Sequence, residues 1–198
     1  MLANVTVTGI FRPSDKKLAG LYDVFLVVCG SLFIGLSAQV AVQLPFSPVP
    51  VTGQTLAVLM TGVLLGRGRG SIAVIAYLIE GAAGLPVFAM GRAGAAILAG
   101  PTGGYLTGFI AAAYVTGLLA EKGWDRRAWT TVAAMILGNA ALYVFGLSWL
   151  SFLSGFRQAV AMGLYPFVVG DVLKVVLAAV IMPVCWRLIN IRPGSDNR

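Results

Sequence analysis

Two ionisable residues stand three positions apart in an apolar run near the C-terminal end, Asp171 and Lys174 in GDVLKVVLAAV. On a helix this spacing puts both side chains on one face, a carboxylate acceptor beside an ammonium donor. Such a pair can recognise an amide-like or ureido group, or can simply neutralise itself. Valine or leucine at both places would be the cheaper way to fill a membrane interior, and ionisable groups there are functional by default. A third charge, Arg92, sits alone in the middle of GLPVFAMGRAGAAILAGPTGGYLTGF, residues 84–109. A guanidinium on a folded, half-apolar loop either anchors the loop at the interface or clamps a carboxylate bidentately. Further along, Asn139 and Tyr143 lie four residues apart on one helical face, and Gln54 offers a second amide.

The elements that must position these groups are apolar. Of 198 residues, 59% are hydrophobic and 11% charged, with a mean hydropathy of +0.90. Soluble globular chains carry about 25% charged residues. The chain therefore reads as an all-α integral membrane protein. Its net charge of +7 is spread along the sequence without basic runs alternating with aromatics, so it carries topology and not nucleic-acid binding. Histidine is absent, which removes His-based catalysis, His proton relays and most transition-metal sites. Cys29 and Cys185 lie in separate apolar segments without metal-ligand spacing. No cofactor is expected, and Met1 to Gly20 lacks a signal-peptide pattern.

Six spans are expected, at about 20–43, 52–66, 71–83, 104–120, 128–152 and 166–189. The first is long enough for a hydrocarbon core that needs roughly 20 residues. On one of its faces Ser31, Gly35 and Ala38 form a strip of small side chains, a surface for close helix contact within the chain or with a partner subunit. Pro45, Pro48 and Pro50 then dictate an extended, solvent-facing loop. The second and third spans are short, the second ending at Arg67 and Arg69 and the third carrying Glu80. Between the third and fourth, Gly91, Gly94, Gly100, Gly103 and Gly104 with Pro86 and Pro101 dictate a bent, partly re-entrant loop. Short spans followed by such a loop suggest a cavity lined by helix ends. An amphipathic connection with Arg157 and Gln158 precedes the last span.

Six spans place both termini on one side. With that side cytoplasmic, the inner segments hold Arg12, Lys16, Lys17, Arg67, Arg69, Lys122, Arg126, Arg127, Arg187, Arg192 and Arg198, and the outer loops hold only Arg92 and Arg157. The chain thus divides into a cytoplasmic N-terminal segment at 1–19, a transmembrane domain at 20–190 and a cytoplasmic tail at 191–198. Arg92, Gln54, Tyr143, Asp171 and Lys174 then share the outer level. One outward-facing pocket holding them suits a ligand with an amide-like or ureido head and a carboxylate tail.

The run Pro45 to Gly66 (PFSPVPVTGQTLAVLMTGVLLG), the Gly-Leu-Pro-Val-Phe and Gly-Pro-Thr-Gly-Gly-Tyr elements of residues 84–109, and Gly170-Asp171-x-x-Lys174 resemble the BioY family. Its members are the biotin-binding membrane subunits, or S-components, of energy-coupling factor (ECF) transporters. The resemblance runs from the first span to the sixth. It implies a biotin site near the outer face, uptake across the cytoplasmic membrane, and six helices. On that basis Asp171 would accept from a ureido N–H, Lys174 would donate to the ureido carbonyl, and Arg92 would hold the valerate carboxylate. Tyr143, Tyr105 and Trp149 would wall the bicyclic ring and tail, with Asn139 as a further polar contact. Biotin is then the transported ligand. No Gly-x-x-x-x-Gly-Lys-Ser/Thr element is present, so energy must come from elsewhere. The resemblance supplies a transmembrane coupling subunit and cytoplasmic ATPase subunits, with Ser31, Gly35 and Ala38 as the expected contact.

Two other classes compete. A proton- or ion-coupled secondary carrier for a small carboxylate would use Asp171 and Lys174 as a relay. An intramembrane enzyme finds no His-containing dyad and no base beside either cysteine.

Overall fold

Asp15 starts the first long helix by accepting hydrogen bonds from the backbone N–H groups of Lys17 and Leu18. That helix, α1, spans Lys16–Gln39. The computed structural model describes residues 6–190, so the N-terminal five residues and the tail with Arg192 and Arg198 lie outside the described residues. After α1 the prolines forbid helix, and two short strands, β1 (Ala41–Val42) and β2 (Val51–Thr52), pair antiparallel around them. The loop they enclose was expected to face solvent throughout. Instead Ser47, Val49 and Pro50 are buried, with Ser47 Oγ donating 2.8 Å to Met162 O.

Helix α2 spans Gln54–Ala82 but breaks at Gly66, where φ is +85° and ψ 170°. Only glycine adopts that conformation without strain. Its two arms lie side by side, since Gln54 Nε2 donates to the Tyr77 hydroxyl and a Cβ on Gly70 would stand 2.9 Å from Gly62 Cα. The expected second and third spans, 52–66 and 71–83, both fall in this one broken helix. The glycine-rich stretch follows, with a 3-10 turn at Ala89–Gly91 and a one-turn helix, α3, at Ala96–Ala99. Helices α4 (Gly103–Glu121), α5 (Ala128–Ser154), the short α6 (Phe156–Gly163) and α7 (Tyr165–Asn190) complete the chain. Among the described residues, α1, α2, α4, α5 and α7 are long and apolar enough to cross a membrane, α2 being counted once despite its break.

The most extensive contact is α2 on α4, followed by α4 on α5 and α1 on α2. It works because a Cβ on Gly62 would collide with the Thr116 hydroxyl and the Ala113 carbonyl of α4. Lipid gives no hydrophobic drive between helices, so close backbone approach through small residues holds them instead. Thr116 adds a hydrogen bond across the seam, Oγ1 donating 3.2 Å to Leu59 O. The outer faces of α1 and α7 expose Leu21, Phe25, Leu36, Val169 and Val180, as lipid-facing helices do.

The expected partner contact at Ser31, Gly35 and Ala38 is corrected here. All three are buried inside the chain: Ser31 donates to the Glu80 carboxylate, Gly35 packs on Val87 and Ala38 has no exposed surface. A strip of small residues makes a groove, and the second arm of α2 with the following loop fills it.

At the end of the bundle where Gly66 turns the chain, charged residues pair at the surface, Arg67 with Glu121 at 3.3 Å and Arg69 with Asp23 at 3.2 Å. In the turn between α4 and α5, Asp125 accepts 2.7 Å from Trp186 Nε1 of α7. Burial raises the Asp125 carboxyl above the ordinary carboxylate range, opposed by that bond and by Arg126.

The seam predicts that Gly62→Ala destabilises the fold by about 1–3 kcal/mol through overpacking. Gly68→Ala, at a position with nothing within 4 Å, leaves stability unchanged or slightly raised. Thermal unfolding of both variants in detergent checks this pair.

Candidate functional site

A cleft opens at the end of the bundle where α2, α4 and α7 begin, with an empty volume of about 640 Å³, mouth included. The start of α2 brings Gln54 and Thr55, α4 brings Tyr105, Leu106 and Phe109, α5 brings Leu142 and Tyr143, and α7 brings Phe167 and Lys174. The β1–β2 connection closes one side with Val49 and Pro50, and the glycine-rich loop the other with Phe88, Arg92 and Ile97.

Polar groups in the wall are satisfied in a short chain of contacts. Lys174 Nζ donates 2.6 Å to Thr55 Oγ1 and 3.3 Å to Asp171 Oδ1. Asp171 Oδ2 accepts from the Tyr143 hydroxyl. The pair is therefore compensated although the Asp171 and Lys174 side chains are only 11% and 13% exposed, and an ion pair so buried depends on such extra bonds. A carboxylate has about four lone-pair sites and an ammonium three protons, so both keep capacity for a ligand. Aromatic faces adjoin them. Tyr105 stacks on Phe167 with centroids 6.4 Å apart and meets Tyr143 edge-on, while Phe88 meets Tyr77 edge-on at 5.6 Å. The Tyr105 hydroxyl donates 2.9 Å to Gly163 O and so ties α6 to the cleft wall.

Arg92 lies at the exposed rim, and its contacts to Gln43 Oε1 (3.5 Å) and Met90 Sδ (3.6 Å) are long. Most of its donor fork is unspent. The loop that presents it is strained at Met90, which takes φ +63°, a conformation unusual for a residue with a Cβ. Gln39 braces the same loop, its amide accepting 3.0 Å from Gly91 N and donating 3.3 Å to Phe88 O.

Of the residues singled out in the sequence, the cleft gathers Gln54, Arg92, Tyr105, Tyr143 and Lys174, with Asp171 directly behind through Tyr143 and Lys174. Trp149 is not among the wall residues. Its indole donates 2.9 Å to Gly100 O and lies beside Phe152, so it holds the glycine-rich loop from outside. Asn139 is not in the wall either, although it is 8% exposed and its Oδ1 has no hydrogen-bond partner among the described residues. Thr55, Phe88 and Phe167 were missed. Thr55 adjoins Gln54, and Phe88 lies in the Gly-Leu-Pro-Val-Phe element, but neither side chain advertises a role without the partner that the fold brings to it.

A family model described as the BioY family matches residues 12–191. The chain is 41% identical over 175 residues to a protein of Rhizobium etli named biotin transporter BioY, covering 84% of this chain and 90% of that one. It is 44% identical to the biotin transporter BioY of Thermotoga maritima over 71% of this chain and 82% of the relative. Among solved structures it is similar to the S-component for biotin from an ECF-type ABC transporter. The TM-score is 0.76 at 27% identity, over 90% of this chain and 95% of that one.

Because Asp171 and Lys174 compensate each other, Asp171→Leu or Lys174→Met alone should destabilise by about 3–5 kcal/mol, and the double variant should recover most of that loss. Thermal unfolding of the three variants measures it.

Proposed function

This chain belongs to the BioY family, and we propose that it captures biotin from outside the cell and delivers it inward as the substrate-specific subunit of an ECF-type transporter. The observation that carries this reading is the cleft itself. It has the Lys174 ammonium in its wall with the paired Asp171 carboxylate directly behind, aromatic and aliphatic faces between, and a largely unspent guanidinium at its rim. Biotin presents the complementary sequence: a ureido head with N–H donors and a carbonyl acceptor, an apolar bicyclic body, and a carboxylate at the end of a flexible tail. Asp171 accepts from the ureido N–H, Lys174 donates to the carbonyl, Tyr105 and Phe167 flank the ring, and Arg92 takes the carboxylate. This is binding and release, with no bond made or broken.

Six crossings fit this role best, the two arms of α2 each counting as one. The side-by-side placement of Gln54 and Tyr77 supports that reading, as does the sorting of basic residues. Arg67, Arg69, Arg126, Arg127 and Arg187 belong to the end opposite the cleft, which faces the cytoplasm of a bacterial-type inner membrane with both termini. Because the chain lacks a nucleotide-binding element, transport is driven by a coupling subunit and ATPases. The lipid-facing side of α1 with Leu21, Phe25 and Leu36 is left for the coupling subunit, since the small-residue strip is occupied.

Equilibrium binding of biotin to the detergent-purified chain tests the function. Wild type should bind saturably, and Asp171→Asn should lose about 2–5 kcal/mol of affinity, with Arg92→Ala also weakened. A folded wild-type chain without saturable biotin binding would sink the proposal. For the topology, Gly68→Cys in a background of Cys29→Ala and Cys185→Ala should react with a membrane-impermeant maleimide only after the cells are opened. Labelling in intact cells would reverse the orientation.

A further inference from the structure

At the end of the bundle opposite the cleft lies a second hollow that biotin capture does not use. It is formed where the α4–α5 turn meets the last turns of α7, and Arg126, Arg127, Trp129, Trp186 and Arg187 line it. Three guanidiniums from two separate elements thus line one concavity, and the Asp125 carboxylate is held by Trp186 of the same lining.

The hollow is built and not incidental. Asp125, 1% exposed, accepts 2.7 Å from Trp186 Nε1, and this bond fastens the turn to α7. The Arg126 guanidinium lies 4.6 Å from the centroid of the Trp186 ring, which orients it on an aromatic platform. Arg127 is the N-cap of the 27-residue helix α5 and makes no side-chain capping bond, so the positive end of that helix opens at the same place. Arg127 and Arg187 are both exposed, and neither forms an ion pair among the described residues. Beside them Trp129 leaves 68% of its surface outside the fold. An indole at the end of a membrane-crossing helix belongs at headgroup depth. One turn before Arg187 on α7, the exposed Val184 continues the surface toward the hydrocarbon region.

A cluster of arginines with an indole at the boundary matches a phosphate ester attached to acyl chains: the guanidiniums take the phosphate oxygens and Trp129 lies along the glycerol and upper chain. We propose that this hollow binds the phosphate of an anionic phospholipid headgroup in the leaflet opposite the biotin cleft. The bound lipid would neutralise the basic turn and join α7 to the α4–α5 connection.

The test uses the full chain purified in detergent, incubated with phosphatidylglycerol or phosphatidylcholine in mixed micelles and read by native mass spectrometry and thermal unfolding. Wild type should retain phosphatidylglycerol over phosphatidylcholine and unfold at higher temperature with it. The double variant Arg127→Gln/Arg187→Gln should retain it about tenfold less while binding biotin as wild type does. A matched loss of charge elsewhere on the same end, Lys16→Gln/Lys17→Gln, should leave retention unchanged. Equal retention of the two lipids, or an equal loss in the lysine variant, overturns the proposal. Inorganic phosphate alone forms the third arm, and stabilisation by it as large as by phosphatidylglycerol would overturn the lipid as the source of the phosphate.

Discussion

Where Gly62 of α2 meets Ala113 and Thr116 of α4, the two helices come so close that not even a Cβ fits at position 62, and the Thr116 hydroxyl bridges the seam. In lipid this kind of contact does the work that hydrophobic burial does in water, because a leucine is as comfortable against an acyl chain as against another leucine. The seam decides much else. It brings α4 against both arms of α2, so that Tyr105, Leu106 and Phe109 near the start of α4 open onto the same cleft as Gln54 and Thr55. The chain reversal at Gly66 is the companion constraint, since without a residue that accepts φ +85° the two arms could not lie together.

On that frame the charges are arranged by how well they can be satisfied. Within the apolar region, Asp171 and Lys174 are held by each other, by Tyr143 and by Thr55, with contributions from three helices. A carboxylate and an ammonium with spare hydrogen-bonding capacity are then available to a ligand without an unpaired charge in its absence. Arg92 follows the opposite design. It is exposed on a loop tied down by Gln39, and its contacts to Gln43 and Met90 are long. One ligand spanning both regions must be polar at its two ends and apolar between them, which is the shape of biotin.

The two ends of the molecule also differ in charge and in architecture. The cleft end is made of loops, strands and helix starts, with glycine and proline setting its backbone. The other end is a set of short turns rich in arginine, fastened through Asp125 and Trp186 and through surface ion pairs that contribute little to stability by themselves.

Composition and spacing alone reached the helical membrane class and the Asp171–Lys174 pair, and the resemblance of three motifs in order supplied the family. These are legible because hydropathy and i, i+3 spacing are local properties, and because a charge inside an apolar run is conspicuous without any partner in view. Tertiary structure decided which faces were already occupied. Ser31, Gly35 and Ala38 look alike as an inward or an outward strip, and only the arrival of Glu80 and Val87 from elsewhere in the chain makes it inward. Trp149 and Asn139 share α5 with Tyr143, yet one braces Gly100 and the other is buried outside the cleft lining. Thr55 and Phe88 joined the cleft on contacts from distant segments. A residue's type fixes what it can bond to, but packing across many residues of separation determines what it meets.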